Sequence, residues 1–181
     1  MKKFTLMQKL RNKIRIKGSV EMNISSSAKI ANCDISIKGN NNKLVIEDGV
    51  TVRHTQIEIL GDNCFIEIGK NSIIGHESYL SAKEGKMLLI KDNCMLSRNV
   101  KIMTSDGHPI YQDKVMINNA KDVLIGNNVW LADNVTVLKG VSIGNDCVVG
   151  INSTLTHSID SHTIAVGNPA KVVKENIRWE E

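Results

Sequence analysis

A histidine and an aspartate stand two residues apart in the run Asp106-Gly107-His108-Pro109. Free imidazole titrates near pH 6.5, so a loop histidine can accept a proton at neutral pH and is a candidate general base. Asp106 is close enough in sequence to orient the ring of His108. A solvent-facing loop histidine without a role in chemistry is the alternative, and the regular pattern around the run favours the base.

A six-residue repeat surrounds this run and marks it as an interruption. From the middle of the chain the repeats open on the aliphatic residues Ile125, Leu131, Val137, Ile143, Val149 and Leu155. A period of six matches neither a helix nor an alternating strand, whereas short strands joined by tight turns around a prism produce it. The pattern predicts an all-β fold, a parallel β-helix in which three repeats form one coil. Corners rich in Gly, Asn and Asp agree, because these residues tolerate left-handed backbone conformations.

The spacing of the repeats changes along the chain. Earlier coils open at Ile24, Ile46, Ile68 and Ile90, which are 22 residues apart. Later coils open at Ile125 and Ile143, which are 18 residues apart. Ile102 and Ile125 are 23 residues apart, where the spacing of one repeat is expected. We therefore predict a long excursion loop at 103–122, and long loops on a rigid scaffold usually carry function.

Composition and charge divide the chain into three parts. Only 3% of the 181 residues are aromatic, which disfavours a large globular core but suits stacked coils of aliphatic side chains. Residues 1–17 hold seven Lys or Arg and no acid, so the net charge of +4 leaves 4 − 7 = −3 for the remainder. We predict a basic N-terminal segment at 1–23, a β-helix domain at 24–170 and a C-terminal tail at 171–181.

The basic segment suggests contact with an anionic surface such as a membrane leaflet. A solvated N-terminal helix or first strand is the plainer alternative. Nucleic-acid binding is not expected, since basic residues would then spread over a face of the folded domain.

The sequence shows no membrane span, no signal peptide and no paired cysteine motif, and these features bear on compartment and metal content. No apolar run approaches the ~18 residues of a membrane span, and the N-terminus has no signal-peptide core. Cys33, Cys64, Cys94 and Cys147 form no C-x-x-C pair, so we expect reduced packing residues, a cytoplasmic protein and no metal site.

Three motifs together carry a resemblance to a known family. They are the run Thr104-Ser105-Asp106-Gly107-His108-Pro109, the segment Ile125-Gly126-Asn127-Asn128-Val129-Trp130, and the terminal Gly167-Asn168-Pro169-Ala170-Lys171. Over about residues 24–175 the chain resembles the hexapeptide-repeat acyltransferases, and more narrowly their sugar and capsular polysaccharide O-acetyltransferase branch. The resemblance implies a left-handed β-helix, a homotrimer with active sites between adjacent prisms, acetyl-CoA as acetyl donor and a saccharide acceptor.

The resemblance also implies roles for individual residues. His108 would deprotonate the acceptor hydroxyl, which attacks the thioester directly, and Trp130 would line the thioester end of the groove. Backbone N–H groups from Trp130 to Ala132, or the indole N–H, are candidate donors to the oxyanion. Further groove residues are Gly150 and Ile151 beside the pantetheine, with Gly167, Lys171 and Lys139 near the CoA phosphates. A surface aromatic at the trimer contact is the alternative for Trp130.

The sequence departs from relatives at two places. Thr156-His157-Ser158 stands where related enzymes often have Thr-Lys-Asp, which weakens one candidate phosphate cation. Glu77-Ser78-Tyr79 stands where some relatives have an oxyanion-assisting asparagine, so that role is not assigned.

Four residues share one offset from the start of their coils: His54, His76, Arg98 and Asp133 each lie eight residues after a coil opening. Stacked coils should align them in an outward column, in which His54, His76 and Arg98 could bind a carboxylate or phosphate. With Tyr111 of the loop, they are the candidate acceptor-binding residues, and the acceptor would be an acidic saccharide. A solvent-facing ladder is the alternative. A three-histidine zinc site with His108 is disfavoured, because no close histidine pair occurs within one coil.

The sequence thus predicts an acetyl-CoA-dependent O-acetyltransferase acting on a sugar hydroxyl of a surface saccharide. Two alternatives stay open: N-acetylation of an amino sugar or its nucleotide derivative, and a β-helix scaffold without catalysis.

Overall fold

The chain coils into a parallel β-helix of about six turns, described for residues 3–180 in a computed structural model. Its strands line three faces of a triangular prism, and aliphatic side chains fill the interior. One short helix, α1 (Leu6–Leu10), lies at the N-terminal end. The predicted parallel β-helix is confirmed.

Face 1 is a sheet of short strands in which all but the last pairing are parallel. In spatial order its strands are β2 (Lys29–Ala31), β4 (Thr51–Arg53), β7 (Ile73–Ile74), β10 (Met95–Leu96), β15 (Trp130–Leu131), β18 (Val148–Val149), β20 (Thr163–Gly167) and β21 (Ala170–Glu175). The last strand turns back on β20 as an antiparallel hairpin, which ends the solenoid.

Faces 2 and 3 belong to one continuous sheet, because the long strand β3 (Asp34–Ile46) bends around the corner between them. Face 2 continues with β5 (Gln56–Leu60), β8 (Tyr79–Lys83), β11 (Lys101–Met103), β16 (Thr136–Val137) and β19 (Thr154–Leu155). Face 3 continues with β6 (Phe65–Ile68), β9 (Met87–Ile90), β14 (Val123–Ile125) and β17 (Ser142–Ile143). The strand β1 (Lys13–Ile24) pairs with β3 along both faces.

Strand register confirms the period found in the sequence. Ile24 pairs with Ile46, Ile46 with Ile68 and Ile68 with Ile90, all at spacings of 22. Ile125 pairs with Ile143 at a spacing of 18. These side chains are at most 1% exposed, and each buried aliphatic side chain stabilises the fold by about 1.5–3 kcal/mol.

Asparagines form the corners of the coils, as their sequence positions indicated. Asn99, Asn134 and Asn152 have φ angles of 55°, 61° and 59°, in the left-handed region. They also stack: the Asn99 side-chain nitrogen donates to Asn134 Oδ1 at 2.8 Å, and that of Asn134 to Asn152 Oδ1 at 2.9 Å. The same residue type thus supplies both the turn conformation and a hydrogen-bond ladder between coils.

The predicted domain boundaries differ from the structure at both ends. The predicted segment 1–23 contains α1 and most of β1, so the solenoid begins at Lys13 rather than at Ile24. Alternate residues of β1 point inwards while the lysines and arginines lie outside, which is why a basic composition did not prevent a strand. At the other end, β21 extends the sheet to Glu175.

All four cysteines are buried and unpaired, as predicted for packing residues. Burial raises the pKa of the Cys94 thiol to about 11 and also raises the pKa of Cys33 and Cys64. A neutral, inaccessible thiol is a poor nucleophile, so catalysis through these three cysteines is disfavoured. Within residues 3–180, no helix is long and apolar enough to cross a membrane.

Candidate functional site

The excursion loop leaves the prism at the corner between faces 2 and 3. It occupies the residues between β11 and β14 and contains a small hairpin, β12 (Tyr111–Gln112) and β13 (Val115–Met116). Thr104 anchors its start, since Thr104 Oγ1 accepts from the Lys83 N–H at 2.9 Å and Thr104 O accepts from the Lys121 N–H at 2.9 Å. The predicted bounds of 103–122 therefore agree with the structure within one residue.

A polar cluster on face 2 supports this anchor from the coil below. The ammonium of Lys83 lies 2.7 Å from Glu58 Oε2, and the Tyr79 hydroxyl donates to the same oxygen at 2.6 Å. Burial opposes ionisation of Glu58, but these hydrogen bonds outweigh it and lower the carboxyl pKa. The cluster fixes the strand whose backbone holds the loop.

A cavity of about 260 Å³ lies under the loop. Its lining residues are Glu84, Ser105, His108, Pro109, Tyr111, Met116 and Asn118. The structure therefore brings His108 and Tyr111 together, and both are exposed to solvent. Glu84, Ser105 and Asn118 were assigned no role from the sequence, because the repeat does not mark them and Ser105 entered only as a member of the loop motif. One signal was present for Glu84: it lies in the four residues by which the 22-residue coils exceed the 18-residue coils.

Asp106 does not orient the ring of His108, which corrects the prediction for this pair. Its Oδ2 accepts instead from the ammonium of Lys139 and from Asn118 Nδ2, the latter at 2.8 Å. Asn118 also donates to the backbone carbonyl of His108 at 2.9 Å and accepts from the Ile110 N–H at 2.6 Å. We call Asp106, Asn118 and Lys139 the loop clasp, because they hold the two arms of the loop together around His108.

Lys139 is the partly buried cation of the clasp. Its side chain is 17% exposed, and Nζ donates to both Asp106 Oδ2 and the Asn118 carbonyl, at 2.7 Å for the latter. The predicted contact of Lys139 with CoA phosphates is therefore replaced by a structural one, since the ammonium faces the base of the loop. The spacing of the repeats could not show this, because the partner lies 33 residues away.

The Lys139 ammonium holds the pKa of Asp106 below its ordinary value. A carboxyl group with a lowered pKa contributes its stabilisation above the unfolded-state value, near 3.9, and loses it as the pH falls towards the folded-state value. The Asp106 carboxylate therefore stays ionised between pH 5 and 8. A change in rate within that range must then come from another group.

The groove residues gather on face 1 and at its border with face 2. Trp130 stacks between Met95 and Val148, and in the next column Ala132 and Gly150 follow one another. Gly167 and Lys171 extend this surface on the β20–β21 hairpin, and Ile151 is 61% exposed at the corner. The structure thus brings these predicted residues together, but face 1 lies opposite the corner that carries His108.

The oxyanion donors expected near Trp130 are already engaged. The Trp130 N–H donates to Cys147 O at 2.9 Å and the Ala132 N–H to Val149 O at 2.9 Å. The indole N–H donates to Ser97 Oγ at 3.1 Å. Backbone N–H groups on a coil are used by the next coil, so none of these three groups is available to an oxyanion. Trp130 also contacts Trp179 of the C-terminal tail, with ring centroids 5.8 Å apart.

The predicted column of His54, His76, Arg98 and Asp133 exists at the corner of faces 1 and 2. Its positive charge is smaller than expected for an anion-binding column. The rings of His54 and His76 lie 4.7 Å apart, and Asp133 follows Arg98 in the next coil. Asp133 accepts from the Arg98 guanidinium at 2.5 and 3.1 Å, so the arginine charge is neutralised. Because this corner is not the one that bears His108, the chain does not assemble the three histidines considered for zinc. Among residues 3–180, no group of three or more His, Cys, Asp or Glu is placed to hold a metal.

Comparison with known proteins shows which family the chain belongs to. The family of bacterial transferase hexapeptides with six repeats matches residues 122–157. A polysialic acid O-acetyltransferase of Neisseria meningitidis is 41% identical over 159 residues, which are 86% of this chain and 73% of that protein. The chain belongs to the hexapeptide-repeat acyltransferase family.

Other known proteins resemble this hexapeptide-repeat acyltransferase in sequence and in fold. A polysialic acid O-acetyltransferase of Escherichia coli O1:K1 is 39% identical over 86% of the chain, which spans 43% of that relative. The crystal structure of the polySia-specific acetyltransferase NeuO has a TM-score of 0.76 at 33% identity, covering 96% of this chain and 90% of that one. The left-handed β-helix implied by the resemblance is thereby confirmed.

Proposed function

We propose that the chain transfers the acetyl group of acetyl-CoA to a hydroxyl of an acidic surface saccharide, with His108 as general base. The observation that carries the proposal is the exposed His108 in the loop cavity, within a chain 41% identical to a polysialic acid O-acetyltransferase. We also propose a cytoplasmic location, since buried unpaired cysteines suit a reducing compartment.

His108 has two proton transfers to perform. Its imidazole accepts the proton of the acceptor hydroxyl while the oxygen attacks the thioester carbonyl. When the tetrahedral intermediate collapses, the imidazolium returns the proton to the departing thiolate. Tyr111 shares the cavity and is placed to contact the acceptor. The chemistry needs no acyl-enzyme, which agrees with the buried cysteines.

Face 1 fits an extended thioester donor. Small residues succeed one another in one column of this face, namely Gly75, Ser97, Ala132 and Gly150. We propose that a narrow pantetheine chain lies along this strip of small residues, beside Trp130. Lys171 is exposed beside the strip and would meet the CoA phosphates as a point charge.

A complete site requires two copies, because His108 and Trp130 lie on opposite sides of one prism. The loop also exposes apolar side chains: Ile110 at 52%, Tyr111 at 62%, Val115 at 65% and Ile117 at 56%. We infer that the loop of each copy packs against face 1 of its neighbour in a homotrimer. Light scattering should then give three times the chain mass of 20.0 kDa, and a monomer retaining full activity would refute the arrangement.

The acceptor is best identified by a panel. Acetyl-CoA is incubated with polysialic acid, another acidic glycan, a neutral oligosaccharide and an amino sugar, and thiol release and product mass are measured. We expect transfer to a hydroxyl of an acidic glycan. Transfer to the amine alone would favour N-acetylation, and no thiol release with any acceptor would favour a non-catalytic scaffold. His54 and His76 remain a proposed acceptor contact, and His76→Gln should raise the acceptor KM if that contact exists.

Loss of the loop clasp should slow the reaction without unfolding the protein. Lys139→Met removes the cation that holds Asp106 and the Asn118 carbonyl, so His108 is less well positioned. We expect kcat to fall about 10- to 100-fold with little change in the donor KM. Lys139→Arg should restore part of the rate, and Lys70→Met, which removes an exposed lysine elsewhere, serves as the matched control. An unchanged kcat in Lys139→Met would show that the clasp does not position the base.

A further inference from the structure

The N-terminal end of the solenoid carries exposed apolar side chains where a polar surface is expected. Terminal units of solenoid proteins usually present a polar outer face, since their outer side meets water rather than another repeat. Here residues 3–12, which we call the end cap, expose Leu6 at 74%, Met7 at 56% and Leu10 at 74%. Singly exposed apolar residues are ordinary, but three on one five-residue helix require an explanation.

The end cap is held firmly in the orientation that exposes these residues. Thr5 and Gln8 form a reciprocal capping box at the start of α1. Gln8 Nε2 donates to Ser25 O at 3.2 Å and to Ala28 O at 3.0 Å, so the Gln8 face of the helix points into the solenoid. Residues two positions away on a helix lie on nearly the opposite side. Leu6 and Leu10 therefore point away from the protein because of the fold.

Cations surround the exposed leucines without acidic partners. Residues 1–17 contain seven Lys or Arg and no Asp or Glu. Within the described part of the chain, Lys3, Lys9 and Arg11 form no ion pair. Lys13 and Arg15 pair with Asp34, but no ion pair within residues 3–180 neutralises Lys3, Lys9 or Arg11.

Two cavities of about 340 Å³ each flank α1. One has an apolar wall of Phe4, Ile14, Ile16 and Met22, with Lys3 and Lys9 at its edge. The other is lined by Arg11, Lys29 and Arg53 and by the residues Ser26 and Ser27, and no carboxylate lines it. Apolar walls next to cations and hydroxyls match the two parts of an anionic phospholipid, its acyl chain and its phosphate.

We propose that the end cap docks the protein on an anionic phospholipid bilayer. Leu6, Met7 and Leu10 enter the boundary between headgroups and acyl chains, while Lys3, Lys9 and Arg11 meet lipid phosphates. Stable attachment of a peripheral protein takes both apolar insertion and electrostatic attraction, and this end supplies both. The proposal does not depend on the acetyl-transfer reaction.

Two other occupants are disfavoured by the same surface. An acidic polysaccharide would use the cations but would leave the exposed leucines without a partner. A second copy packed end to end would bring two sets of unpaired cations together, and like charges repel. The combination of apolar and basic residues therefore favours a lipid surface.

The test is co-sedimentation of the full chain with vesicles. Vesicles of phosphatidylcholine containing phosphatidylglycerol should bind the protein, vesicles of phosphatidylcholine alone should not, and added salt should weaken binding. The double variant Leu6→Ser/Leu10→Ser should bind about tenfold or more weakly. Lys9→Glu/Arg11→Glu should lower binding by about fivefold or more per charge position. Val172→Ser/Val173→Ser, which changes exposed residues at the far end, is the matched control and should bind like the unchanged protein.

Each result decides for or against the proposal, provided circular dichroism shows that the variants are folded. No binding to phosphatidylglycerol vesicles overturns it. Binding that survives the leucine changes and is displaced by a soluble polyanion such as heparin also overturns it, in favour of a glycan site. Leucine-dependent self-association without vesicles, combined with no vesicle binding, would assign the end cap to a second copy.

Discussion

Replacing His108 with alanine should reduce the rate of acetyl transfer by about 10²- to 10⁴-fold, the usual contribution of a general base. The reduction should appear in kcat, because the proposed role of His108 is to accept the hydroxyl proton during the reaction and not to bind the donor. The side chain is exposed and no hydrogen bond to its ring is present in the described chain, so folding should be unaffected. Thiol release from acetyl-CoA measures the rate, and thermal unfolding measures stability.

His162→Asn is the matched control for this experiment. His162 is also an exposed histidine, and its φ of 62° is a conformation that asparagine adopts readily. It lies at the corner between faces 3 and 1, away from the loop, so its replacement should leave the rate unchanged. Full activity in His108→Ala would contradict the general-base role. If no acceptor supports thiol release even in the unchanged protein, the scaffold alternative would gain instead.

The second large effect concerns stability and is expected for Gly39→Ala. Gly39 lies where β3 turns between faces 2 and 3, with a φ of 112°, and a Cβ atom there would lie 2.1 Å from the Gly61 carbonyl oxygen. The coil above occupies that space with backbone, which cannot move aside without breaking the stack. Conformational strain alone costs about 1–3 kcal/mol, and the clash adds to it, so we expect a loss of about 3 kcal/mol or more. Chemical denaturation measures the free energy of unfolding.

Gly85→Ala separates the two contributions. Its φ of 70° is also in the left-handed region, but the nearest atom to an added Cβ is the Asp62 carbonyl oxygen at 3.5 Å. This variant should lose only the conformational part, about 1–2 kcal/mol. Equal losses in the two variants would show that the close approach of the coils at Gly39 carries no penalty of its own.

The sequence was sufficient for the fold because the evidence for a solenoid is local. Each coil contacts the coils next to it, so a repeat of fixed length prescribes the pairing of Ile24 with Ile46 and of Ile125 with Ile143 without any knowledge of distant contacts. The same regularity located the excursion loop and with it His108. It also predicted that His54, His76 and Arg98 would stack, since an equal offset within successive coils means an equal place on the prism.

The basic N-terminal residues show where composition misled the prediction. Charge separated residues 1–23 from the repeats, although β1 extends the sheet by a further coil. The outward side chains of a solenoid are free to be lysine or arginine, so the charge of a segment does not decide whether it forms a strand. The inward positions decide that, and in β1 they are partly exposed at the open end.

Partners of individual side chains were decided only by the tertiary structure. Lys139 meets Asp106 and Asn118, and Arg98 meets Asp133, because loop and coil positions far apart in sequence lie close together in space. The period gives the place of a residue on the prism but not the conformation of an irregular loop or the direction of a long side chain. The sequence by itself therefore determined the parallel β-helix, its interruption and the presence of His108 there. The folded chain alone determined which charges are paired. It also determined that His108 and Trp130 lie on opposite sides of the prism, because each face of a triangular coil lies opposite the corner between the other two faces.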